Sequence, residues 1–252
     1  MTPNLEALSA LVAGKPALSI DNLVAGYGPS EILHGVSLRV GSGQSLCLVG
    51  PNGAGKSTVL HSIYGLTDIR SGTINAAGLD ITRLSSSEKL ERARIAYVLQ
   101  DSSVFPDMTV EENLRMGGFL MERSEEAREA AGRILDKYDR LGQRRQQPAK
   151  VLSGGERRLL EIVRALMMNP AILLVDEPSI GLEPRYIELV FEVLGELQRT
   201  DGKTVVLVEQ NVSKGLAFAD IGYLLVSGNV ARAGRGRELL DDPEVGRLFL
   251  GG

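Results

Sequence analysis

From Ala17 onward the apolar positions change their period in ways that separate strands from helices. Ile32, His34, Val36, Leu38 and Val40 alternate with their neighbours up to the turn GSGQ, which predicts an antiparallel β section. Three later runs, SLCLVG, AILLVDEP and KTVVLVEQ, are apolar without alternation. Short continuous runs of that kind suit central parallel strands buried on both faces. Each leads into a helical pattern, and after the first run Val59, Leu60, Ile63 and Tyr64 recur at helical spacing between Lys56 and Leu66. Further on, GYLLVS and NVARAG flank Gly228 as a hairpin, with two short helices expected behind it.

Between the first and second of these runs, from about Leu84 to Met168, the pattern is mostly helical. Thr109 and Glu112 have the spacing of a capping box, and Ser124 is a candidate N-cap. Behind Ser124, residues Ala127, Ala130, Ala131, Ile134, Leu135, Tyr138 and Leu141 fall on one helical face. The fold class predicted is α/β, with an antiparallel β section and a helical subdomain, about 84–168, inserted in the α/β core. Residues 1–16 form an N-terminal extension expected to dock loosely, and 17–252 form the rest. Phe105, Met108 and Phe119 in the helical part are expected in the core, with a partner-binding groove as the alternative.

Composition narrows the function. Lys and Arg number 28 against 32 Asp and Glu, a formal charge of −4 that argues against nucleic acid as the main partner. The single cysteine, Cys47, excludes an internal disulfide and reads as a small core residue. No apolar run approaches membrane-spanning length, and the start MTPNLEALSA lacks a basic segment, so no signal peptide is expected. Glycine is in surplus, 29 of 252 residues where roughly 7% is usual, so special backbone positions are expected.

Several of those glycines carry chemistry. Gly50, Pro51, Asn52, Gly53, Ala54, Gly55, Lys56 and Ser57, followed by Thr58, match the phosphate-loop pattern between a strand and a helix. Its backbone N–H groups and helix N-terminus favour phosphate, Lys56 adds a charge, and the Ser57 hydroxyl can ligate Mg2+. Asp176 and Glu177 end a buried strand, where ligands sit in parallel sheets. Asp176 suits the Mg2+ shell, and Glu177 suits polarising a water that attacks the γ-phosphate. Ser153, Gly154, Gly155 and Glu156 open another helix as a capping box. The two glycines there bare N–H groups for a second anion site, most simply one serving nucleotide held by another copy. His34 and His61 read as structural residues.

The phosphate loop, Gln100, LSGGE, ILLVDEP and SIGLEP, in this order, resemble the nucleotide-binding subunit of an ABC transporter. The resemblance covers the chain from about Ala17 to the C-terminus. It implies a P-loop cassette that binds ATP and Mg2+, pairs head to tail with a second cassette, and completes each site with the other's signature segment. By position, Tyr27 resembles the aromatic that stacks on adenine, although a core tyrosine would look the same. Gln100 resembles the loop glutamine that touches Mg2+ and the attacking water, and Ser179 to Glu183 resemble the loop crossing the dimer interface. Further partners implied are two membrane permeases and, indirectly, a periplasmic binding protein, which places the chain on the cytoplasmic face of the inner membrane.

Gln210, in VEQN, stands where most cassettes carry a histidine that contacts the γ-phosphate. That string, FPDMTVEENLRMGG and the ending DDPEVGRLFLGG are similar to one branch, the second ATP-binding subunit of branched-chain amino acid importers and their urea or amide relatives. The same motifs also fit an exporter or envelope-lipid cassette. A soluble cassette acting on ribosomes or DNA fits less well, since this chain has neither double length nor a long coiled-coil insertion.

Overall fold

A computed structural model describes residues 5–100 and 103–245. In chain order it contains α1 (Leu5–Ala10), β1 (Pro16–Tyr27), β2 (Ser30–Gly41), β3 (Ser45–Val49), α2 (Lys56–Tyr64), β4 (Asp68–Ala76), β5 (Leu79–Asp80), α3 (Ser86–Ala93) and β6 (Ile95–Val98). Then follow α4 (Val110–Gly117), α5 (Ser124–Lys137), α6 (Asp139–Gly142), α7 (Gly154–Ala165), β7 (Ile172–Asp176), α8 (Pro184–Arg199) and β8 (Thr204–Val208). The chain continues as α9 (Val212–Phe218), β9 (Ile221–Val226), β10 (Asn229–Arg235), α10 (Gly236–Leu240) and α11 (Pro243–Val245). Part of the C-terminal string noted above, residues 246–252, lies outside the described residues.

The three unalternating runs become β3, β7 and β8, whose residues are all buried. They lie in a sheet of order β10-β9-β3-β8-β7-β6, parallel throughout except for β10. Along β3, Cys47 and Val49 face one core with α7 and α8, while Leu46 and Leu48 face another with the second sheet. Burial on both faces explains why these strands are apolar throughout, apart from Ser45, Asp176 and Thr204 at their ends. The second sheet, β2-β1-β4-β5, is antiparallel.

The expected alternation in β2 breaks at its centre. Val36 pairs with Leu23 but His34 pairs with Val24, so Gly35, at φ +89°, is an extra residue in the ladder. A bulge of this kind shifts every side chain before it to the other face. Leu33 is therefore buried, whereas His34 is exposed and hydrogen-bonds Glu31.

Two expectations about helices also change. α5 starts at Ser124 with Arg123 ahead of it and no side-chain cap, so Ser124 is the first helical residue rather than its N-cap. The described part of the N-terminal extension, from Leu5 on, is docked rather than loose: Leu8 is 1% exposed and sits in the core with β1 and β2. Gln44 locks the following turn, its Oε1 accepting from Ala13 N at 2.9 Å and Gly41 N at 3.0 Å, while its Nε2 donates to Leu11 O at 3.3 Å. Leu8→Ala is expected to destabilise the protein by about 2–5 kcal/mol in urea denaturation, whereas a loosely attached extension would leave the midpoint unmoved.

Candidate functional site

β3 ends at Val49, and the chain turns through the glycine loop into α2, whose N-terminus faces the cleft. Lys56 is buried and folds back over the loop, its Nζ donating to Gly50 O at 2.9 Å and Pro51 O at 3.1 Å. Burial pushes its pKa below the ordinary value, against the pull of Glu177 and Asp176. From outside, Gly228 N in the β9–β10 turn donates to Ala54 O at 3.0 Å and so supports the loop. Asn52, Gly53, Gly55, Lys56, Ser57 and Thr58 line a cleft of about 320 Å³ together with Tyr27, Ile32 and Glu177.

The parallel register brings the ends of β6, β7 and β8 to the mouth of this cleft. Ser57 Oγ donates to Asp176 Oδ1 at 3.1 Å, joining the loop to β7. Glu177 follows in a left-handed conformation, φ +43°, which a non-glycine residue holds only when its surroundings fix it. Those surroundings are explicit. Its N–H donates to Val208 O, Gln100 Nε2 donates to its Oε2 at 2.8 Å, and Gln210 Nε2 lies 3.1 and 3.0 Å from its two carboxylate oxygens. Burial pushes the Glu177 carboxyl above its usual range, while the Gln210 hydrogen bond pulls the other way. The Ser57 hydroxyl and Asp176 carboxylate are hard oxygen donors, which fits Mg2+ held by one carboxylate and substrate phosphates.

Tyr27 lies at the rim, 41% exposed, with its hydroxyl hydrogen-bonded to His61 Nδ1. Its ring is thus open to a ligand rather than packed in the core.

The signature segment lies elsewhere. Gly154 lines a separate cleft with Gln100, Arg157, Arg158, Glu161, Ile180 and Leu182, and none of these lines the phosphate-loop cleft. Ser153 and Glu156 form the expected capping box, and the other Glu156 oxygen pairs with Arg144 at 3.1 Å. The two glycines differ in their surroundings. Gly154 is exposed, but Gly155 is buried, and a Cβ there would sit 2.0 Å from Cδ1 of Tyr186 on α8. Glycine at 155 is demanded by packing within the chain.

Sequence reasoning missed Tyr97, Arg158, Glu161 and Glu209. Tyr97 OH donates to Asp176 Oδ2 at 3.0 Å. Arg158 forms a buried ion pair with Glu161 and donates to Leu99 O at 2.7 Å and Asp176 O at 2.8 Å. Glu161 in turn accepts from Ser103 N at 3.0 Å, so α7 grips both sides of the Gln100 loop. Glu209 is buried and accepts from Ser179 Oγ at 2.7 Å, tying the segment 179–183 to the end of β8. A charged pair three residues apart inside the run RLLEIV was the available signal for Arg158 and Glu161.

Phe105 and Phe119 of the helical part are not core. Phe119 is 77% exposed and Phe105 41%, with Arg164 stacked on the Phe105 ring. Phe119, Met108, Met116 and Met121 line an apolar groove of about 430 Å³ with Arg115, Arg123 and Ala127. Among the described residues, no helix is long and apolar enough to cross a membrane.

With a helical part inserted between the loop-bearing strand and the acidic strand, the architecture is that of a phosphate-loop nucleotide cassette. The sequence pattern described as ABC transporter matches residues 33–180. The chain belongs to the ABC transporter family, as one of its ATPase cassettes. It is 42% identical over 235 residues to the high-affinity branched-chain amino acid transport ATP-binding protein BraG of Pseudomonas aeruginosa, covering 93% of this chain and all of that one. It is 38% identical to the probable branched-chain amino acid transport ATP-binding protein LivF of Archaeoglobus fulgidus, covering 91% and 96%. A crystal structure of an ABC transporter cassette in its ADP conformation superposes with a TM-score of 0.84 at 30% identity, covering 95% of this chain and 100% of the other. A dimeric post-hydrolysis cassette bound to ADP and Pi gives 0.75 at 28% identity, covering 87% and 99%.

Gly155→Ala is expected to lower the melting temperature because the new methyl collides with Tyr186, whereas Gly154→Ala, whose nearest neighbour would be Leu182 at 3.8 Å, is expected to change it little. Equal effects in thermal denaturation would contradict the packing role.

Proposed function

We propose that this chain is the ATP-hydrolysing subunit of an importer for branched-chain amino acids, peripheral on the cytoplasmic face of the inner membrane. The observation that carries the chemistry is the convergence of Gln100 and Gln210 on Glu177 at the mouth of the phosphate-loop cleft. The ligand is assigned from the similarity to BraG and LivF.

In this reading Tyr27 stacks on adenine and the loop N–H groups hold the phosphates. The Lys56 ammonium exchanges the Gly50 and Pro51 carbonyls for phosphate oxygens. Mg2+ held by Ser57 and Asp176, with Gln100 beside it, would neutralise charge developing on the phosphates. Glu177 orients and polarises the attacking water, and a carboxyl already pushed upward by burial is a better proton acceptor than a solvated one. Ser153 and the exposed N–H face at Gly154 complete the site of a second cassette, homologous or identical, across the dimer. Closure is driven by the contacts that bound ATP makes with both cassettes, and loss of the γ-phosphate contacts reopens them. The apolar groove around Phe119 and Met116 receives a helix of a membrane permease, since aromatic and Met side chains suit such anchors.

Glu177→Gln is expected to bind ATP, lose turnover by at least about 100-fold and accumulate as a dimer on size exclusion. Turnover at the parent rate would remove the residue from the chemistry. In a strain lacking this chain, uptake of radiolabelled leucine is expected to fall and to return on complementation. Loss of urea or short-amide uptake instead would reassign the ligand, and normal uptake of all three would end the importer reading.

A further inference from the structure

Asp176 is 2% exposed, and its two carboxylate oxygens receive different hydroxyls: Ser57 Oγ on Oδ1 at 3.1 Å and Tyr97 OH on Oδ2 at 3.0 Å. Ser57 belongs to the phosphate loop, but Tyr97 comes from β6, where it pairs with Leu174 on the neighbouring strand. The phenol ring is itself held. Tyr64 packs against it at 5.4 Å between centroids, and His61 meets it nearly edge-on at 5.8 Å. His61 is in turn hydrogen-bonded to Tyr27 at the rim of the cleft.

A carboxylate torsion has a broad, roughly two-fold profile, so burial alone does not choose which way Asp176 faces. A donor on a fixed ring does choose. The donor is also neutral: a guanidinium or ammonium in its place would orient the carboxylate equally well but would repel a cation bound to the other oxygen.

We propose that Tyr97 is a positioning residue for the divalent cation, its phenol pinning Asp176 Oδ2 so that Oδ1 stays turned toward Ser57 and the phosphate loop. The inference rests on the reading that Ser57 and Asp176 hold Mg2+. Removing a hydrogen bond that orients a metal ligand typically weakens metal binding by roughly 10–100-fold. Tyr97→Phe keeps the ring and its packing on Tyr64 and His61 while deleting only the donor.

The test uses Mn2+ as the probe, titrated into the full-length, ADP-loaded protein and read by electron paramagnetic resonance. Tyr97→Phe is expected to weaken Mn2+ binding about tenfold or more, with ADP affinity in EDTA and the melting temperature held near their parent values. Unchanged Mn2+ affinity overturns the proposal. So does a parallel fall in metal-free ADP affinity and melting temperature, which would make the phenol a general support of the fold. Tyr97→Met, lacking the hydroxyl but retaining bulk, serves as the second variant if Tyr97→Phe does not fold, with the same outcomes. Asp176→Asn is run alongside: full Mn2+ binding there refutes the cation reading itself, whereas loss there with none in Tyr97→Phe refutes only the role of Tyr97.

Discussion

The structure depends on keeping Lys56, Asp176 and Glu177 at the end of a sheet that is buried on both faces. An ion removed from water without partners costs several kcal/mol or more, so each needs hydrogen bonds in place before any ligand arrives. Each finds them in a different element. Lys56 uses the carbonyls of its own loop, Asp176 uses Ser57 on α2 and Tyr97 on β6, and Glu177 uses Gln100 beyond β6 and Gln210 beyond β8. Satisfying three charges therefore ties together the ends of four neighbouring elements, and what stabilises the charges also orders the site.

The same logic extends into the helical part. Arg158 and Glu161 are both buried, and their pair spans α7, the carbonyl of Leu99, the carbonyl of Asp176 and the N–H of Ser103. Breaking one partner of a buried ion pair strands the other's charge, so this junction resists partial opening. These hydrogen bonds link α7 to the backbone on both sides of Gln100 and to the strand end that precedes Glu177. Arg164 extends this junction, stacking on the Phe105 ring and donating to the Ser103 carbonyl and hydroxyl.

What the sequence made legible was whatever depends on local pattern. Buried strands without alternation, the phosphate loop, the capping boxes at Thr109 and Ser153 and the hairpin at Gly228 all follow from spacing over a few residues. What it hid depends on contacts far apart in the chain. The bulge at Gly35 reverses which residues of β2 are buried, and nothing in its alternation marks the reversal. Gly155 looks like half of a glycine pair until Tyr186, on another helix, occupies the space of its missing side chain. Phe119 and Phe105 read as core because burial is the usual fate of aromatics, and only the assembled lobe leaves them outside. Tyr97 and Glu209 are polar residues at strand ends whose partners lie 79 and 30 positions away.

Gln210 shows how one departure changes the controls on the site. Histidine titrates near 6.5, so at this position it would add positive charge below that pH and lower the pKa of the facing carboxyl. A glutamine amide stays neutral and donates the same way at every pH. With Gln100 also neutral, both side chains donating to Glu177 are amides, and its carboxyl is raised by burial against the Gln210 hydrogen bond, with Asp176, Lys56 and Glu209 as the charges that act on it. Lys56 is also the group that a γ-phosphate recruits. In the proposed cycle ATP draws the Lys56 ammonium onto phosphate oxygens, so the nucleotide changes one of the charges that act on the Glu177 carboxyl.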